Sequence, residues 1–279
     1  MTYNLGDRHK AYEAAYDQQI IRRIPVIIRV DGINFTKVTR KLQRPYCPRM
    51  MELMAQTMLA TIKEIEGSVF GYQQSDEISY IIRNDQSLES EPWFGNRTQK
   101  MASVAAAKTT FHFLNILRQM ADPPKLMGNI AFDGRVFAVP NSIEAINNLL
   151  FRQQDCTRNA LTGAARAELG KKLGLKTADQ LLKGKNGKDR EALLQSECGI
   201  DFYHHFPAAF RHGIGAYKIP KIFTTNDGQQ ITRQRWALDL NLPKFNESKI
   251  ISGILDSGKD IFRAERDLEE GEDVEADGS

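Results

Sequence analysis

Two apolar runs, each stopping at an acidic residue, constrain this chain more than any other feature. Ile24 to Val30 is nearly unbroken isoleucine and valine, as in a strand covered on both faces, and it ends at Asp31-Gly32. Val69 to Ile82 reads as two short strands around Gln74-Ser75-Asp76-Glu77. Between them, Tyr46 to Glu66 carries Met50, Met54, Met58, Ile62 and Ile65 at helical spacing. The order is strand, helix, strand, turn, strand. If this is the first half of a ferredoxin-like sheet, the crossover sets the first and second strands parallel. The end of the first strand and the turn after the second then share one edge, which puts Asp31 beside Asp76.

Carboxylates crowded at a sheet edge repel each other unless a cation joins them. Magnesium, which keeps waters and takes up substrate phosphate oxygens, is the natural partner. Such an arrangement serves two-metal phosphoryl or nucleotidyl transfer. The same residues also suit plain turns, since Asp-Gly after a strand and Ser-Asp-Glu in a hairpin are ordinary turn chemistry.

The 279 residues allow one large or two modest domains, and 41% hydrophobic with 26% charged residues is an ordinary globular composition. No apolar run approaches the roughly 18 residues of a membrane span, and the start, MTYNLGDRHKAYE, lacks the apolar core of a secretory signal. Cys47, Cys156 and Cys198 are odd in number and widely spaced. They predict neither a structural zinc nor a disulfide framework, and a reducing cytoplasm. The net charge of +3 conceals an asymmetry: residues 264–279 hold eight acids and one base, leaving a body of +10. That body suits a polyanion such as RNA, although surface lysines kept for solubility give the same sign.

Leu5 to Gln19 predicts an amphipathic helix with Tyr12, Ala15 and Tyr16 on one side. Thr36 to Pro48 is a basic loop, in which one or two of Lys37, Arg40, Lys41 and Arg44 are placed to meet phosphate. Asn96 is the expected N-cap of a helix from Arg97 to Gln119. Arg97 and Lys100, in its first turn, oppose the helix dipole; a bound triphosphate would account for them, and so would simple exposure. Asn129 to Val139 supplies the fourth strand of a βαββαβ unit, with Asp133-Gly134 a bulge more readily than a third acidic site. Ser142 is expected to cap a helix through Gln154, followed by a helix over Thr157 to Leu173, a lysine-rich loop from Gly174 to Gly187 and a short helix from Asp189 to Glu197. His204, His205 and His212, read on a strand, have no carboxylate or cysteine at ligand spacing and are assigned to the surface or to RNA. Gly213 to Thr224 and Gln229 to Leu240 predict a hairpin turning at Asn226-Asp227-Gly228. The acidic end from about Asp256 is expected to be mobile.

Four words in order, RVDGINF, YQQSDEISY, FDGRVFAVP and RQQDC, resemble the tRNA-His guanylyltransferase superfamily of 3′-to-5′ nucleotide-adding enzymes, across about Tyr12 to Thr224. The resemblance implies an α/β (α+β) fold with a ferredoxin-like βαββαβ polymerase-type palm over 1–140. A helical and β-hairpin region, 141–255, would pack on the palm and contribute to tRNA binding, ahead of an acidic tail, 256–279. It implies catalytic Asp31, Asp76 and Glu77, with two Mg²⁺ ions bridged by Asp31 and Asp76, the Gly32 carbonyl as a further ligand and Glu77 supporting the ligands. ATP and GTP are the implied substrates. Arg44 and Ser75 stand where the family contacts the activating nucleotide, Arg97, Lys100 and Arg135 where it binds triphosphate, and Arg190 near a further basic position. A homotetramer is implied as well.

Departures bear on substrate. Members that add G−1 to tRNA-His carry His-Ile-Asn-Asn after RQQDC, where this chain has Thr157-Arg158-Asn159-Ala160. The pattern resembles the guanylyltransferase-like branch associated with repair of truncated tRNA 5′ ends. Cys47 and Gln73 replace a common Asp and a common Gly. Strict G−1 addition, a palm-type nucleotide cyclase and an RNA-binding protein without catalysis are the competing readings. The basic body disfavours the cyclase, and retention of both aspartates disfavours the last.

Overall fold

The computed structural model describes residues 4–87, 89–224, 229–246 and 250–257. Helix α1 (Leu5–Ala14) precedes β1 (Val26–Gly32), a short α2 (Phe35–Val38) and α3 (Pro48–Ile62). Strands β2 (Ser68–Gln74) and β3 (Glu77–Ile82) form a hairpin, followed by α4 (Thr98–Gln119) and β4 (Phe132–Ala138). Then come α5 (Ser142–Leu173), α6 (Leu175–Leu182), α7 (Gly187–Cys198), and the short α8 (Phe202–His205) and α9 (Ala208–His212). A second hairpin, β5 (Ile214–Thr224) and β6 (Gln230–Asp239), leads to α10 (Ile250–Ser257).

The strands make one antiparallel sheet in the order β4-β1-β3-β2-β5-β6. Its first four members are the βαββαβ palm. Strand alternation assigns the two faces. Val26, Ile28 and Val30 pack with Met54, Met58, Met101 and Phe113, under α3 and α4. Ile27 points the other way, into a cluster with Leu149 of α5 and Ile254 of α10. Each such fully buried side chain contributes about 1.5–3 kcal/mol. The second hairpin extends the sheet past β2. Only Ile214–Ala216 pair with β2, and the rest of β5 and β6 continues as a two-stranded ribbon.

Several local expectations are corrected. Helix α1 stops at Ala14 and buries none of its residues, so its apolar side meets no core in the monomer. Asn96 is not the cap of α4; Arg97 holds that position without a side-chain bond. Asn96, at φ +60, is instead buried, accepting from Asn84 Nδ2 and donating to the Ile21 carbonyl. Asp133-Gly134 is no bulge, because its register with β1 is unbroken. A Cβ on Gly134 would lie 2.7 Å from the Ala102 carbonyl oxygen, so glycine lets α4 press onto this edge strand.

Asn141, not Ser142, caps α5. That helix runs 32 residues without the break expected near Asp155, because Gln153 satisfies buried polar groups at that level: its amide donates to the Pro243 carbonyl and its oxygen accepts from the Phe245 N–H. The lysine-rich stretch contains α6, whose Ala178 and Leu182 bury against Leu169. The histidines lie on helices rather than a strand, and His212 is buried with Nδ1 donating to the Leu242 carbonyl. The proposed turn at Asn226-Asp227-Gly228 and the acidic stretch after Ser257 lie outside the described residues.

Candidate active site

Asp31 lies at the end of β1, opposite Glu77 on β3 and Asp133 on β4. Cross-strand partners share a face, so Asp133, Asp31 and Glu77 form a row of carboxylates. Arg135, Arg29 and Ser79 form the next row inward. The β2–β3 turn brings Asp76 to the same edge, where the Gly32 N–H donates to the Asp76 carbonyl at 3.2 Å. That bond ties together the two acid-bearing segments. Gly32 itself is required, since a Cβ there would lie 2.3 Å from the Phe35 ring.

The turn is held in a costly conformation. Ser75 sits at φ +50, in a hairpin position that glycine usually occupies. Gln73 Nε2 donates to the Ser75 carbonyl at 2.8 Å, the Ser75 hydroxyl donates to Asp76 Oδ1 at 3.0 Å, and Gln74 Nε2 donates to Glu77 Oε1 at 3.3 Å. Three side chains thus brace four residues.

These groups line one end of a cavity of about 500 Å³. Arg44 stands in its wall, with Nη2 donating to the Thr39 carbonyl at 3.3 Å. Tyr46 stacks on Phe210 at 4.8 Å between centroids, and α5 contributes Arg152, Asp155, Cys156, Asn159 and Gly163. The charged lining is acidic overall: Asp31, Asp76, Glu77 and Asp155 against Arg44 and Arg152. Burial, with Asp76, Glu77 and Asp133 beside it, pushes the Asp31 carboxyl up to about 6, against a lowering by Arg135. Burial also raises Asp76, against the Ser75 hydroxyl bond. Both shifts mean that negative charge is uncompensated there.

The other sequence-derived residues separate into groups. Arg44 and Ser75 join the acids in the cavity. Arg135, on the edge strand, lies 3.7 Å from Asp133. Arg97 caps α4 and Lys100 lies in its first turn, against the segment that leads into β1, and neither lines the cavity; Arg97 lies 3.8 Å from Asp17, and Lys100 stands over the Phe94 ring. Arg190 is outside the cavity too, donating to Thr162 Oγ1 of α5 at 2.8 Å.

Sequence reading passes over Arg29, gives Arg152 and Asp155 of RQQDC no role, and ranks Asp133 as an acidic site below a bulge, whereas it faces Asp31 across β1 and β4. Arg29 carries a signal, as the lone charge two residues before Asp31 in an apolar strand. Arg152 and Asp155 lie at helical i, i+3 spacing, but nothing local says which strand they meet.

Among the described residues no group of three His, Cys, Asp or Glu is arranged to hold a metal alone. The carboxylates of Asp31 and Asp76 with the Gly32 carbonyl nonetheless fit magnesium. It binds through one or two carboxylates and completes its shell with water and phosphate oxygens. All of these donors are hard oxygens, and the raised Asp31 marks where positive charge is wanted. No helix among the described residues is long and apolar enough to cross a membrane.

The family model described as "tRNAHis guanylyltransferase" matches residues 6–140. The mouse protein named "Probable tRNA(His) guanylyltransferase" is 30% identical over 192 residues, which is 67% of this chain and 62% of that protein. The matched part thus spans about three fifths of that relative's length. Among solved structures, a bacterial tRNA(His) guanylyltransferase-like protein in complex with ATP aligns at TM-score 0.72 and 31% identity, over 88% of this chain and 96% of that one. A bacterial guanylyltransferase-like protein in complex with GTP aligns at TM-score 0.69 and 27% identity, over 90% and 98%. Coverage this complete, on a fold whose paired acids close one sheet edge, makes the chain a member of the tRNA-His guanylyltransferase superfamily.

Proposed function

We propose that this chain is a magnesium-dependent 3′-to-5′ RNA nucleotidyltransferase acting on tRNA 5′ ends. The observation that carries the proposal is the meeting of Asp31 and Asp76 in the lining of a nucleotide-sized cavity, with Arg44 and Ser75 in its wall. An acidic cavity repels a triphosphate unless cations accompany it, so the lining itself calls for a metal nucleotide rather than a free one. Bound magnesium would neutralise the oxygens that attack and leave in an in-line displacement.

The chain's own residues prepare two successive displacements. In the first, the tRNA 5′-monophosphate oxygen attacks the α-phosphorus of ATP or GTP, forming a 5′–5′ pyrophosphate linkage and releasing pyrophosphate. In the second, the 3′-hydroxyl of an incoming nucleotide attacks the activated 5′-phosphorus and releases the nucleoside monophosphate. Arg44 and Ser75 hold the activating nucleotide against the acid-bearing turn. Arg135, 3.7 Å from Asp133 on the β4 side of the acids, is assigned to the triphosphate of the incoming nucleotide; Arg97 and Lys100, at the start of α4 on the other face of the sheet, carry that assignment from the family resemblance alone, and Arg190 supports the α5 wall. Reactants held on two sides of one pair of carboxylates need little further alignment.

Within this class we favour repair of shortened tRNA 5′ ends over strict G−1 addition to tRNA-His. Thr157, where G−1-adding relatives carry histidine, donates its hydroxyl to the Arg211 carbonyl at 2.8 Å and belongs to the scaffold. Leu5 and Tyr12 of α1, with Tyr16 just after it, are exposed and offer a surface for further copies, in keeping with the family's tetramer, and a cytoplasmic location completes the proposal. The test is extension of full-length and 5′-truncated tRNAs with all four nucleotides and magnesium. Lengthening of the truncated tRNA opposite its 3′ strand is expected. Addition of a single G to tRNA-His alone would transfer the assignment to the G−1 branch, and a cyclic product from nucleotide alone would overturn it.

A further inference from the structure

One ion pair in the cavity wall is not accounted for by holding nucleotide or metal. Arg152 Nε and Nη2 donate to the two carboxylate oxygens of Glu77, each at 2.8 Å, and Nη2 also donates to Asp155 Oδ2 at 3.3 Å. Such a fork-to-fork pair fixes orientation as well as distance. The Arg152 and Glu77 side chains are only 12% and 13% exposed. Arg29 of β1 adds a second cation, with Nε 3.8 Å from Glu77 Oε2. Glu77 is therefore met from β1, from the turn and from α5, and both of its oxygens are already accepting hydrogen bonds.

We infer that Arg152 is a positioning residue: through Glu77 it clamps the β2–β3 turn, and with it Asp76, to the long helix that walls the nucleotide cavity. Glu77 is then the counter-charge of Arg152 and not a metal ligand. Asp76 is its chain neighbour, so the clamp sets where the Asp76 carboxylate stands relative to Asp31. Helix α5 carries Cys156, Asn159 and Gly163 on the cavity wall within three turns of Arg152, so the nucleotide-facing wall and the acid-bearing turn are held as one unit. A lysine keeps the charge but cannot make the fork.

This inference rests on the nucleotidyl-transfer reading, and the experiment separates the two. Mn²⁺ binding followed by electron paramagnetic resonance, melting temperature, and kcat and KM for extension of a 5′-truncated tRNA are measured on the full chain, for wild type, Arg152→Met, Arg152→Lys, Glu77→Gln and the double variant Glu77→Gln/Arg152→Met. Displacement of the Asp76 carboxylate by about 1 Å lowers kcat on the order of 100-fold in either single methionine or glutamine variant. KM for tRNA is expected to stay nearly constant while Mn²⁺ binding weakens. The double variant should lose no more than the worse single one, as two ends of one contact do. Arg152→Lys, which keeps a cation for Glu77, should retain the wild-type melting temperature and still lose kcat. Wild-type kcat in Arg152→Lys, additive losses in the double variant, or unchanged Mn²⁺ binding in every variant would overturn the clamp alone. A wild-type chain that extends no tRNA would overturn the nucleotidyl-transfer reading and the clamp with it.

Discussion

Asp31 and Glu77 are partners across adjacent strands in the carboxylate row, yet their surroundings are opposite. At the β1 end, burial raises the Asp31 carboxyl, and the crowding of Asp76, Glu77 and Asp133 raises it further. At the β3 end, Glu77 accepts from Arg152 twice and from Gln74, with Arg29 close by. The difference separates charge kept for a ligand from charge spent on the scaffold. An enzyme that binds a cation late must leave some carboxylates uncompensated, at a cost in stability, and must hold them apart with others that are fully paired.

The largest break in this comparison comes at Asp31. Asp31→Asn is expected to reduce nucleotide addition on the order of 10³-fold while leaving tRNA binding nearly intact, as filter binding beside the extension assay would show. The same substitution should raise the melting temperature at neutral pH without divalent ions. In the native chain Asp31 holds its proton to about 6, so the folded state binds more protons than the unfolded state between the ordinary carboxylate value and 6. Stability from this group is therefore fully present at low pH and is lost as pH rises toward 6. Melting curves across that window should flatten in the asparagine variant, and an unchanged slope would show that Asp31 is not strained.

At the paired end the sign reverses. Arg152→Met strands a nearly buried carboxylate and should cost about 3–5 kcal/mol in urea unfolding, much of which Glu77→Gln/Arg152→Met restores. Away from the charges, Gly134→Ala forces a Cβ to within 2.7 Å of the Ala102 carbonyl and should cost about 1–3 kcal/mol. Chemical denaturation checks it, and a neutral outcome would mean that α4 yields easily. The smallest effect belongs to Ser75→Gly. Relief at φ +50 and the loss of the hydroxyl bond to Asp76 oppose each other, leaving a change in stability within about 1 kcal/mol.

Much of the palm is legible in the sequence because its signals are local. The run from Ile24 to Val30, the methionine stripe of α3 and the Ser75-Asp76 turn each announce one element, and the handedness of crossover connections joins them into a common edge. Where polar groups are satisfied at long range, the sequence misleads. Polar Gln153 and Asp155 resemble a helix end, but Gln153 serves the Pro243 and Phe245 backbone some ninety residues away. Ala178 and Leu182 are an i, i+4 pair hidden among lysines and glycines, and they become visible as a helix only against Leu169. The candidate site divides in the same way. Asp31 and Asp76 follow from the strand pattern and Gly32 from the family resemblance, whereas the Arg152–Glu77 pair requires knowing where α5 crosses the sheet.

The proposed chemistry requires Asp31 to be a crowded carboxylate that awaits a cation. Carbon-13 NMR titration of the Asp31 side-chain carboxyl, with and without magnesium and nucleotide, measures this directly. A midpoint near 6 in the free chain, falling well below that when magnesium and nucleotide are added, is the expected result. A midpoint in the ordinary carboxylate range that magnesium does not move would contradict it.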